Sequence, residues 1–267
     1  MSDITDTNSP LRFERQDRVA TITINDAPMN RMTLEFMDCL EEVVDELAQD
    51  TGVGAVVITA DGDKNFSVGM DLKQLPEGAK RKGSVEAVFD QRLRVLDQIE
   101  TLDKPVIAVL FGYCLGGGLE LPLACHFRLA AEEGAKIGLP EMDLGSVPAW
   151  GGSARLTRTV GRDRALDLVL RAKKIDGPEA LRIGLVNEVW PNDQLQRAAQ
   201  DLARELAAMP RTAVAGILRA IVNTDRASVA QGIADEREAV MATMGTKDQA
   251  EGMKAFLEKR KPVFNQD

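Results

Sequence analysis

The sequence predicts an α/β core followed by a mostly helical C-terminal region. In the first half, short β-branched or apolar segments alternate with segments of helical periodicity, as is typical of strands connected by helices. After Gly161 the periodicity is almost entirely helical. No internal repeat and no Pro/Gly/Ser-rich linker separates the two parts. We therefore expect the core in residues 1–191 and the helical region in residues 192–267.

The predicted strands of the core are recognised by their side chains. Residues 19–24 (VATITI) alternate and are rich in β-branched side chains, as expected of a half-buried strand. Residues 55–60 (AVVITA) form an apolar strand that ends at an Asp-Gly-Asp turn. The apolar run at residues 104–112 (KPVIAVLFG) predicts a strand that is buried on both faces of the sheet.

Helices are predicted between and after these strands. Thr33 is a candidate N-cap for a helix that extends to about Gln49, because apolar side chains recur behind it at three- and four-residue spacing. Residues 88–99 show the same pattern, whereas the polar residues 80–83 predict a mobile loop. In the second half, helices are predicted at residues 162–171, 178–183, 194–208 and 213–222, with two more after residue 228 and a strand-like interruption at 184–191.

Composition excludes several classes of function. The 267 residues contain 33 Lys+Arg and 42 Asp+Glu, so the formal net charge of −9 argues against a nucleic-acid-binding surface. A hydrophobic content of 44% favours a folded globular protein. The single histidine, His126, excludes a multi-histidine metal site, and no metal is predicted. Acid–base catalysis is therefore left to carboxylates.

Cysteine spacing and the N-terminus indicate an intracellular setting. Cys39, Cys114 and Cys125 lack CxxC spacing and are predicted to be small buried side chains rather than zinc ligands or disulfides. Residues 1–10 are polar and acidic, unlike a signal or transit peptide, and predict a short frayed tail. No apolar run reaches the roughly 20 residues that cross a bilayer. We expect a cytoplasmic protein with no membrane or nucleic-acid partner.

A glycine-rich junction is the first feature that points to chemistry. Residues 112–120 (GYCLGGGLE) place three consecutive glycines where a strand ends and a helix begins. N–H groups at a helix N-terminus lack intrahelical acceptors and favour negative charge, so an oxyanion or a phosphate is a candidate ligand. The dinucleotide fingerprint fails, because Leu121 stands where its third glycine belongs. Tight packing of helix against sheet explains the glycines equally well. A second glycine-containing loop, residues 66–73, is a weaker candidate for the same ligand.

Two glutamates in apolar surroundings are candidates for proton transfer. Glu120 lies in the first turn of the helix that follows the glycines, and Glu141 lies in a Gly-Leu-Pro-Glu-Met turn. Apolar neighbours raise carboxyl pKa values towards the range that suits a general acid or base. The alternative is that each is a solvated or capping glutamate, as most glutamates are. Sequence spacing does not decide whether the two carboxyl groups face each other.

Several ordered motifs together resemble the enoyl-CoA hydratase/isomerase (crotonase) family. The resemblance extends from about residue 11 to residue 264. Its motifs are FSVGMDLK (66–73), KPVIAVLFGYCLGGGLELPLAC (104–125), IGLPEMDLGSVPAWGGSARL (137–156), RAKKIDGPEALRIGLVNEVWP (171–191) and EGMKAFLEKRKPVF (251–264). It implies a crotonase-like spiral of ββα units and a C-terminal helical region that builds trimers, commonly paired into hexamers. It also implies a coenzyme A thioester as substrate, with no separate cofactor.

The resemblance assigns roles in the reaction to four residues. The family's oxyanion hole consists of two backbone N–H groups, which match Met70 and Gly117. Glu120 matches the general base that activates water, and Glu141 matches the acid that delivers a proton to the α-carbon. Many family isomerases keep only the second glutamate, so the pair favours an enoyl-CoA hydratase acting on a short or functionalised acyl chain. The alternatives are another acyl-CoA reaction (double-bond isomerisation, hydrolysis or C–C cleavage) and a noncatalytic binding protein.

The same resemblance implies a binding surface for the acyl-CoA. Lys73 matches a lysine near the nucleotide phosphates, while Phe256 and Lys259 match positions that close over the nucleotide, often from a neighbouring subunit. Ordinary surface charge is the other explanation for the two lysines. The remaining matched positions, along the path of the pantetheine, adenine and acyl groups, are Asn30, Arg31, Met32, Val68, Asp71, Leu72, Gly116, Leu139, Ala149 and Trp150.

Four positions depart from the usual family pattern. Ala149 replaces a glycine, and Trp150 beside it either shapes the acyl pocket or is a packed loop aromatic. Leu139 replaces a common glutamine, which should raise the pKa of Glu141. Met70 replaces a smaller residue and is expected to narrow the acyl tunnel. These departures leave the reaction class unchanged and concern the acyl preference.

Overall fold

Six strands form the main sheet of the computed structural model, which describes residues 3–266. The first two strands pair antiparallel through a two-residue turn, and all other neighbours are parallel. The predicted strands at 19–24 and 55–60 are confirmed, and the run at 104–112 contains a shorter strand. In spatial order the strands are β1 (Leu11–Gln16), β2 (Val19–Ile24), β3 (Ala55–Ala60), β4 (Val106–Leu110), β6 (Phe127–Ala131) and β8 (Glu188–Trp190).

A second sheet of two short strands is separate from the main sheet. Its two strands are the parallel pair β5 (Tyr113–Leu115) and β7 (Lys136–Gly138). A single bridge joins Ser67 to Cys114, and another joins Met32 to Met70. The loop after β3 is thereby held next to the glycine-rich junction. No sequence pattern predicts β5 or β7, because three residues are too few to show a period.

Eleven helices are present within residues 3–266, and the helix predicted after Thr33 is confirmed. The Thr33 hydroxyl accepts a hydrogen bond from the Phe36 N–H at 3.0 Å, as an N-cap residue does. The helices are α1 (Leu34–Gln49), α2 (Leu75–Lys82), α3 (Val85–Glu100), α4 (Gly117–Ala124), α5 (Gly152–Val160), α6 (Arg162–Leu170), α7 (Gly177–Arg182), α8 (Asn192–Ala207), α9 (Arg211–Arg226), α10 (Val229–Thr243) and α11 (Lys247–Glu258).

The loop predicted at residues 80–83 is wrong. Most of this segment is the last turn of α2, which ends at Lys82 and is followed by Gly83 as its C-cap. Arg81 pairs with Glu35 at 2.6 Å, and both Arg81 and Lys82 pair with Asp38 on α1. Cations in the last turn also complement the helix dipole. Tertiary ion pairs therefore stabilise a polar helix that has little apolar periodicity of its own.

The C-terminal helices divide into two kinds by their packing. Helix α8 lies against strands of the main sheet, whereas α9 and α10 pack mainly on each other. The domain division at residue 191 stays a prediction. Several large apolar side chains of α9–α11 remain exposed, namely Ile217, Ile221, Ile233, Met241, Phe256 and Leu257.

The N-terminal segment is more ordered than expected. Ile4 forms a bridge with Phe13 through backbone hydrogen bonds of 2.8 and 2.9 Å, so the frayed tail is wrong at this position. Met1 and Ser2, which belong to the same prediction, lie outside the described residues. No helix in the described part of the chain combines the length and the apolar character that a bilayer span requires. A cytoplasmic location stays a prediction.

All three cysteines are free thiols. Cys114 and Cys125 are buried, as predicted, whereas Cys39 is only half-buried. Burial raises the pKa of Cys125 to about 12 and also raises the pKa of Cys114. The two buried thiols are therefore protonated and unreactive at neutral pH.

Candidate active site

A cavity of about 370 Å³ contains both candidate glutamates. Glu120 enters it from α4, and Glu141 enters it from the loop after β7. The other predicted site residues that line it are Val68, Met70, Leu72, Gly116, Gly117, Ala149 and Trp150. A larger cavity, of about 690 Å³, lies between α9, α10 and the C-terminal ends of α1 and α3, and it contains neither of the two glutamates.

Glycines allow two loops to meet at this cavity. A methyl group on Gly69, whose φ is +87°, would lie 2.8 Å from the Leu115 carbonyl oxygen and 2.9 Å from the Gly117 nitrogen. A methyl group on Gly118 would lie 2.3 Å from the Ser67 carbonyl oxygen. Side chains at these positions would force the loops apart. The glycines therefore do serve close packing, and that packing brings Met70 and Gly117 to one cavity.

Two backbone N–H groups are available to a ligand here. Gly117 is the first residue of α4, where an N–H has no intrahelical acceptor. Met70 is bridged to Met32, but the bridge uses the Met32 N–H and the Asp71 N–H. Within residues 3–266 neither the Met70 nor the Gly117 N–H has a hydrogen-bond acceptor. Both residues line the cavity, so their N–H groups are candidates to bind the same oxygen.

Glu120 is held as a buried carboxylate by the backbone of a neighbouring loop. Its side chain is almost fully buried, and its Oε1 accepts hydrogen bonds from the N–H groups of Trp150 at 2.8 Å and Gly152 at 2.9 Å. Burial raises the pKa of Glu120 to about 7, and the nearby Glu141 adds to this rise. The two N–H donors and the positive charge of Arg155 oppose the rise. The result is a carboxyl group that titrates near neutral pH.

Glu141 lies against Gly116 of the glycine-rich junction. It begins a one-turn helix, Glu141–Leu144, directly after Pro140. A methyl group on Gly116 would lie 3.2 Å from its Oε1. Burial raises the pKa of Glu141, and its buried Oε2 has no hydrogen-bond partner among the described residues. A protonated Glu141 is therefore free to give its proton to a bound molecule.

Trp150 is both a packed loop aromatic and a wall of the cavity. Its indole is buried and covers Gly117 so closely that a methyl group there would lie 2.3 Å from Cζ3. Arg92, on α3, places its guanidinium carbon 5.6 Å from the centroid of this indole. The two interpretations of Trp150 from the sequence are compatible.

Part of the predicted coenzyme A surface supports the local backbone instead of lining the cavity. The side chain of Asn30 is fully buried and donates to two backbone carbonyls at 2.7 and 2.9 Å. Met32 is buried and its N–H donates to the loop after β3. Arg31 pairs with Asp26 at 2.7 Å and with Asp71 at 3.5 Å. Arg31 therefore has most of its charge balanced within the protein.

Four further predicted residues also lie outside the cavity. Leu139 is fully buried, one residue before Pro140. Lys73 is exposed on the one-turn helix Leu72–Gln74. Phe256 is 78% exposed on α11, and Lys259 ends that helix with a φ of +54°. Their roles in binding stay predictions.

His126 lies outside the cavity, and its ring is neutral at pH 7. Burial lowers the pKa of His126 to about 4. Its Nδ1 accepts a hydrogen bond from the Val106 N–H at 3.0 Å, which ties it to the main sheet. Histidine chemistry is therefore not available to this site.

Some residues that line the cavity were missed by the sequence reasoning. Most of them belong to the motif at 137–156 and had a signal in that motif, whereas Phe89 on α3 shows only ordinary helical periodicity. The residues are Phe89, Leu115, Pro140, Leu144, Ser146 and Val147.

Comparisons with known proteins agree over most of the chain. The model of the enoyl-CoA hydratase/isomerase family matches residues 14–267. The short-chain-enoyl-CoA hydratase of Clostridium acetobutylicum is 35% identical over 250 residues, which cover 93% of this chain and 95% of that protein. A probable enoyl-CoA hydratase of Bacillus subtilis is also 35% identical over 250 residues, covering 92% of this chain and 95% of the relative.

Solved structures show the same architecture. The enoyl-CoA hydratase of Bacillus anthracis superposes with a TM-score of 0.90 at 32% identity, covering 97% of this chain and 100% of that structure. The DspI protein of Pseudomonas aeruginosa gives a TM-score of 0.89 at 31% identity, covering 98% and 97%. The α/β fold class predicted from the sequence motifs is thereby confirmed.

Proposed function

Because the chain belongs to the enoyl-CoA hydratase/isomerase family, as its motifs indicated, we propose that it adds water reversibly across the α,β double bond of a 2-enoyl-CoA. The observation that carries the proposal is the placement of Glu120 and Glu141. They come from different elements, both have raised pKa values, and both line one cavity at the N-terminus of α4. A general base and a general acid are the two groups that hydration requires.

The oxyanion hole is proposed to polarise the substrate. The thioester carbonyl oxygen would accept hydrogen bonds from the Met70 and Gly117 N–H groups. As a hydroxyl group bonds to the β-carbon, the π electrons move towards the thioester and negative charge collects on its oxygen. Donors fixed at that oxygen stabilise the enolate by about 3–4 kcal/mol each.

The hydrogen bonds of the two glutamates support different protonation states. Oε1 of Glu120 accepts two N–H donors, which favour the ionised form. Oε2 of Glu141 has no donor among the described residues, and burial favours its protonated form more than a local backbone hydrogen bond opposes it. In the proposed step Glu120 takes a proton from water, the hydroxyl oxygen bonds to the β-carbon, and Glu141 gives its proton to the α-carbon. Proton exchange with solvent then restores the starting state.

A short or functionalised acyl chain suits the walls of the cavity. The volume of about 370 Å³ is bounded by the buried indole of Trp150 and by Met70 and Phe89. A long unbranched chain would need these side chains to move.

Binding of the coenzyme A moiety and assembly complete the proposal. The substrate carries the coenzyme A, so no separate cofactor takes part. Lys73 is exposed and directly follows Leu72, which lines the cavity. Its positive charge would attract a phosphate group of the coenzyme A moiety at this rim. The exposed apolar side chains of α9–α11 support a trimer or a dimer of trimers, in which Phe256 and Lys259 would face a neighbouring subunit.

The test is a scan of unsaturated acyl-CoA thioesters that differ in chain length and substitution. Hydration removes the absorbance of the conjugated enone, and chromatography identifies the 3-hydroxyacyl product. We expect crotonyl-CoA or a close short-chain analogue to lose this absorbance. Formation of a double-bond isomer or of free coenzyme A as the main product would overturn the proposal.

A further inference from the structure

The loop from Trp150 to Gly152 is held between Glu120 and Arg155. On one side, its two N–H groups donate to Glu120. On the other side, Nη1 of Arg155 donates to the Trp150 carbonyl oxygen at 2.9 Å. Gly151 between them has a φ of +88°, and a methyl group there would lie 2.5 Å from the same Nη1. The Arg155 guanidinium therefore holds the carbonyl oxygen of Trp150, while the Glu120 carboxylate holds the N–H groups of Trp150 and Gly152.

Arg155 is itself anchored by a buried carboxylate at the end of α3. Its Nε and Nη2 each lie 3.0 Å from Oε2 of Glu100. The side chains of Glu100 and Arg155 are only 7% and 11% exposed. Although burial opposes ionisation, hydrogen bonds from Arg158 and Arg155 hold the pKa of Glu100 below its usual value. Both groups of the pair are therefore charged at neutral pH. Their contact is also directional, because the N–H donors of a guanidinium have a fixed planar geometry.

Two further arginines and one histidine lie close to Glu100. Arg158 from α5 and Arg226 from α9 also contact Glu100, Arg226 at 3.7 Å. His126, next to Glu100, is neutral at pH 7. Glu141 and Arg155 are the charged groups with the largest influence on the Glu120 carboxyl. Arg158 thus shares the anchor without touching the loop.

We propose that Arg155 is a positioning residue for the general base, acting through the loop 150–152 with Glu100 as its anchor. The inference rests on the proposed hydration and adds a residue that does not line the cavity. Without the guanidinium, the Trp150 carbonyl would lose its donor and the two N–H groups would no longer be fixed on Oε1 of Glu120. A displacement of about 1 Å at a reacting group can cost roughly 100-fold in rate.

The test compares Arg155→Met, Arg155→Lys and the matched control Arg158→Met in the full-length protein. We expect Arg155→Met to lower kcat by roughly 10- to 100-fold with little change in KM for the substrate identified in the scan. The acid limb of its pH profile should move to higher pH, because the two loop N–H groups that favour the ionised form of Glu120 are no longer fixed and a nearby positive charge is also lost. Arg155→Lys should keep the wild-type acid limb but recover kcat only in part. Arg158→Met should leave the pH profile unchanged.

A second measurement needs no turnover. The ¹³C signal of the Glu120 carboxyl, identified by its absence in Glu120→Gln, reports the titration of this group directly. An upward shift in Arg155→Met alone supports the positioning role, even if the wild-type protein hydrates none of the thioesters tested. An unchanged titration in a folded Arg155→Met, or an equal shift in Arg158→Met, would overturn it. Failure of the proposed function would instead appear as an inactive wild-type protein.

Discussion

The backbone N–H of Trp150 donates a 2.8 Å hydrogen bond to Oε1 of Glu120. One residue thus lines the cavity with its indole and holds the buried carboxylate with its main chain. The side chain of Trp150 also covers Gly117, whose N–H is a proposed donor to the substrate. The proposed base, the proposed oxyanion donor and the cavity wall are therefore in direct contact through Trp150, and a change at any of them should affect the proposed reaction.

Replacing either glutamate by glutamine should nearly abolish hydration. Glutamine keeps the size of the side chain but neither takes up nor releases a proton at neutral pH, so Glu120→Gln and Glu141→Gln should each lower kcat by about 100- to 10,000-fold. The rate of loss of the enone absorbance measures this. Glu132→Gln, at an exposed site, is the matched control and should retain full activity. Full activity in either active-site variant contradicts the mechanism.

The pH profile of kcat/KM should be bell-shaped with its acid limb near pH 7. In the proposed mechanism the active form carries one proton on the pair, on Glu141 and not on Glu120. Lowering the pH below the pKa of Glu120, which burial raises to about 7, protonates the base and lowers the rate. The proposed mechanism requires Glu141 to keep its proton until a higher pH, where its loss lowers the rate again, and both limbs belong to the interacting pair. An acid limb at the ordinary carboxyl value of 4.5 would show that Glu120 is not the base.

Glu120→Gln should stabilise the fold at alkaline pH while it removes activity. The folded-state pKa of about 7 lies above the ordinary value of 4.5, so the folded protein holds a proton that the unfolded chain releases. Stability is therefore lost as the pH rises through 7, by up to about 3 kcal/mol. The variant avoids this loss, so its unfolding temperature should exceed that of the wild type at about pH 8.5 and approach it at about pH 5. A gain that is equal at both pH values would argue against a buried charge.

Gly117→Ala should disrupt the contact between α4 and the indole of Trp150. The added methyl group would lie 2.3 Å from Cζ3, so the ring or the helix must move, at a cost of about 1–3 kcal/mol in the free energy of unfolding. The same movement displaces the Gly117 N–H and should lower kcat. Gly252→Ala on α11, where the methyl group makes only an ordinary contact of 3.5 Å, is the control for both urea denaturation and kinetics. Equal behaviour of the two variants would contradict the predicted overlap.

Local patterns predicted those features that depend on neighbours in sequence. The strand β3, the start of α1 at Thr33 and the position of Glu120 in the first turn of α4 are examples. The polar helix α2 was missed because its charges are satisfied by α1, which no local pattern reveals.

The site itself required tertiary information. The motif resemblance identified both glutamates, but only the fold places Glu141 over the glycines before α4. The role inferred for Arg155 combines a local hydrogen bond to Trp150 with hydrogen bonds that join residues 30 and 55 positions apart, so spacing does not indicate it.

The position of Trp150 gives the protein an intrinsic optical reporter. The chain has two tryptophans, and Trp190 on β8 is half-buried outside this cavity, with its indole N–H donating to Glu188 at 2.6 Å. Only Trp150 combines a buried indole with a place in the cavity wall and a nearby guanidinium. Its emission should therefore respond to an occupant of the cavity, so that binding is visible by fluorescence even in variants that no longer turn over.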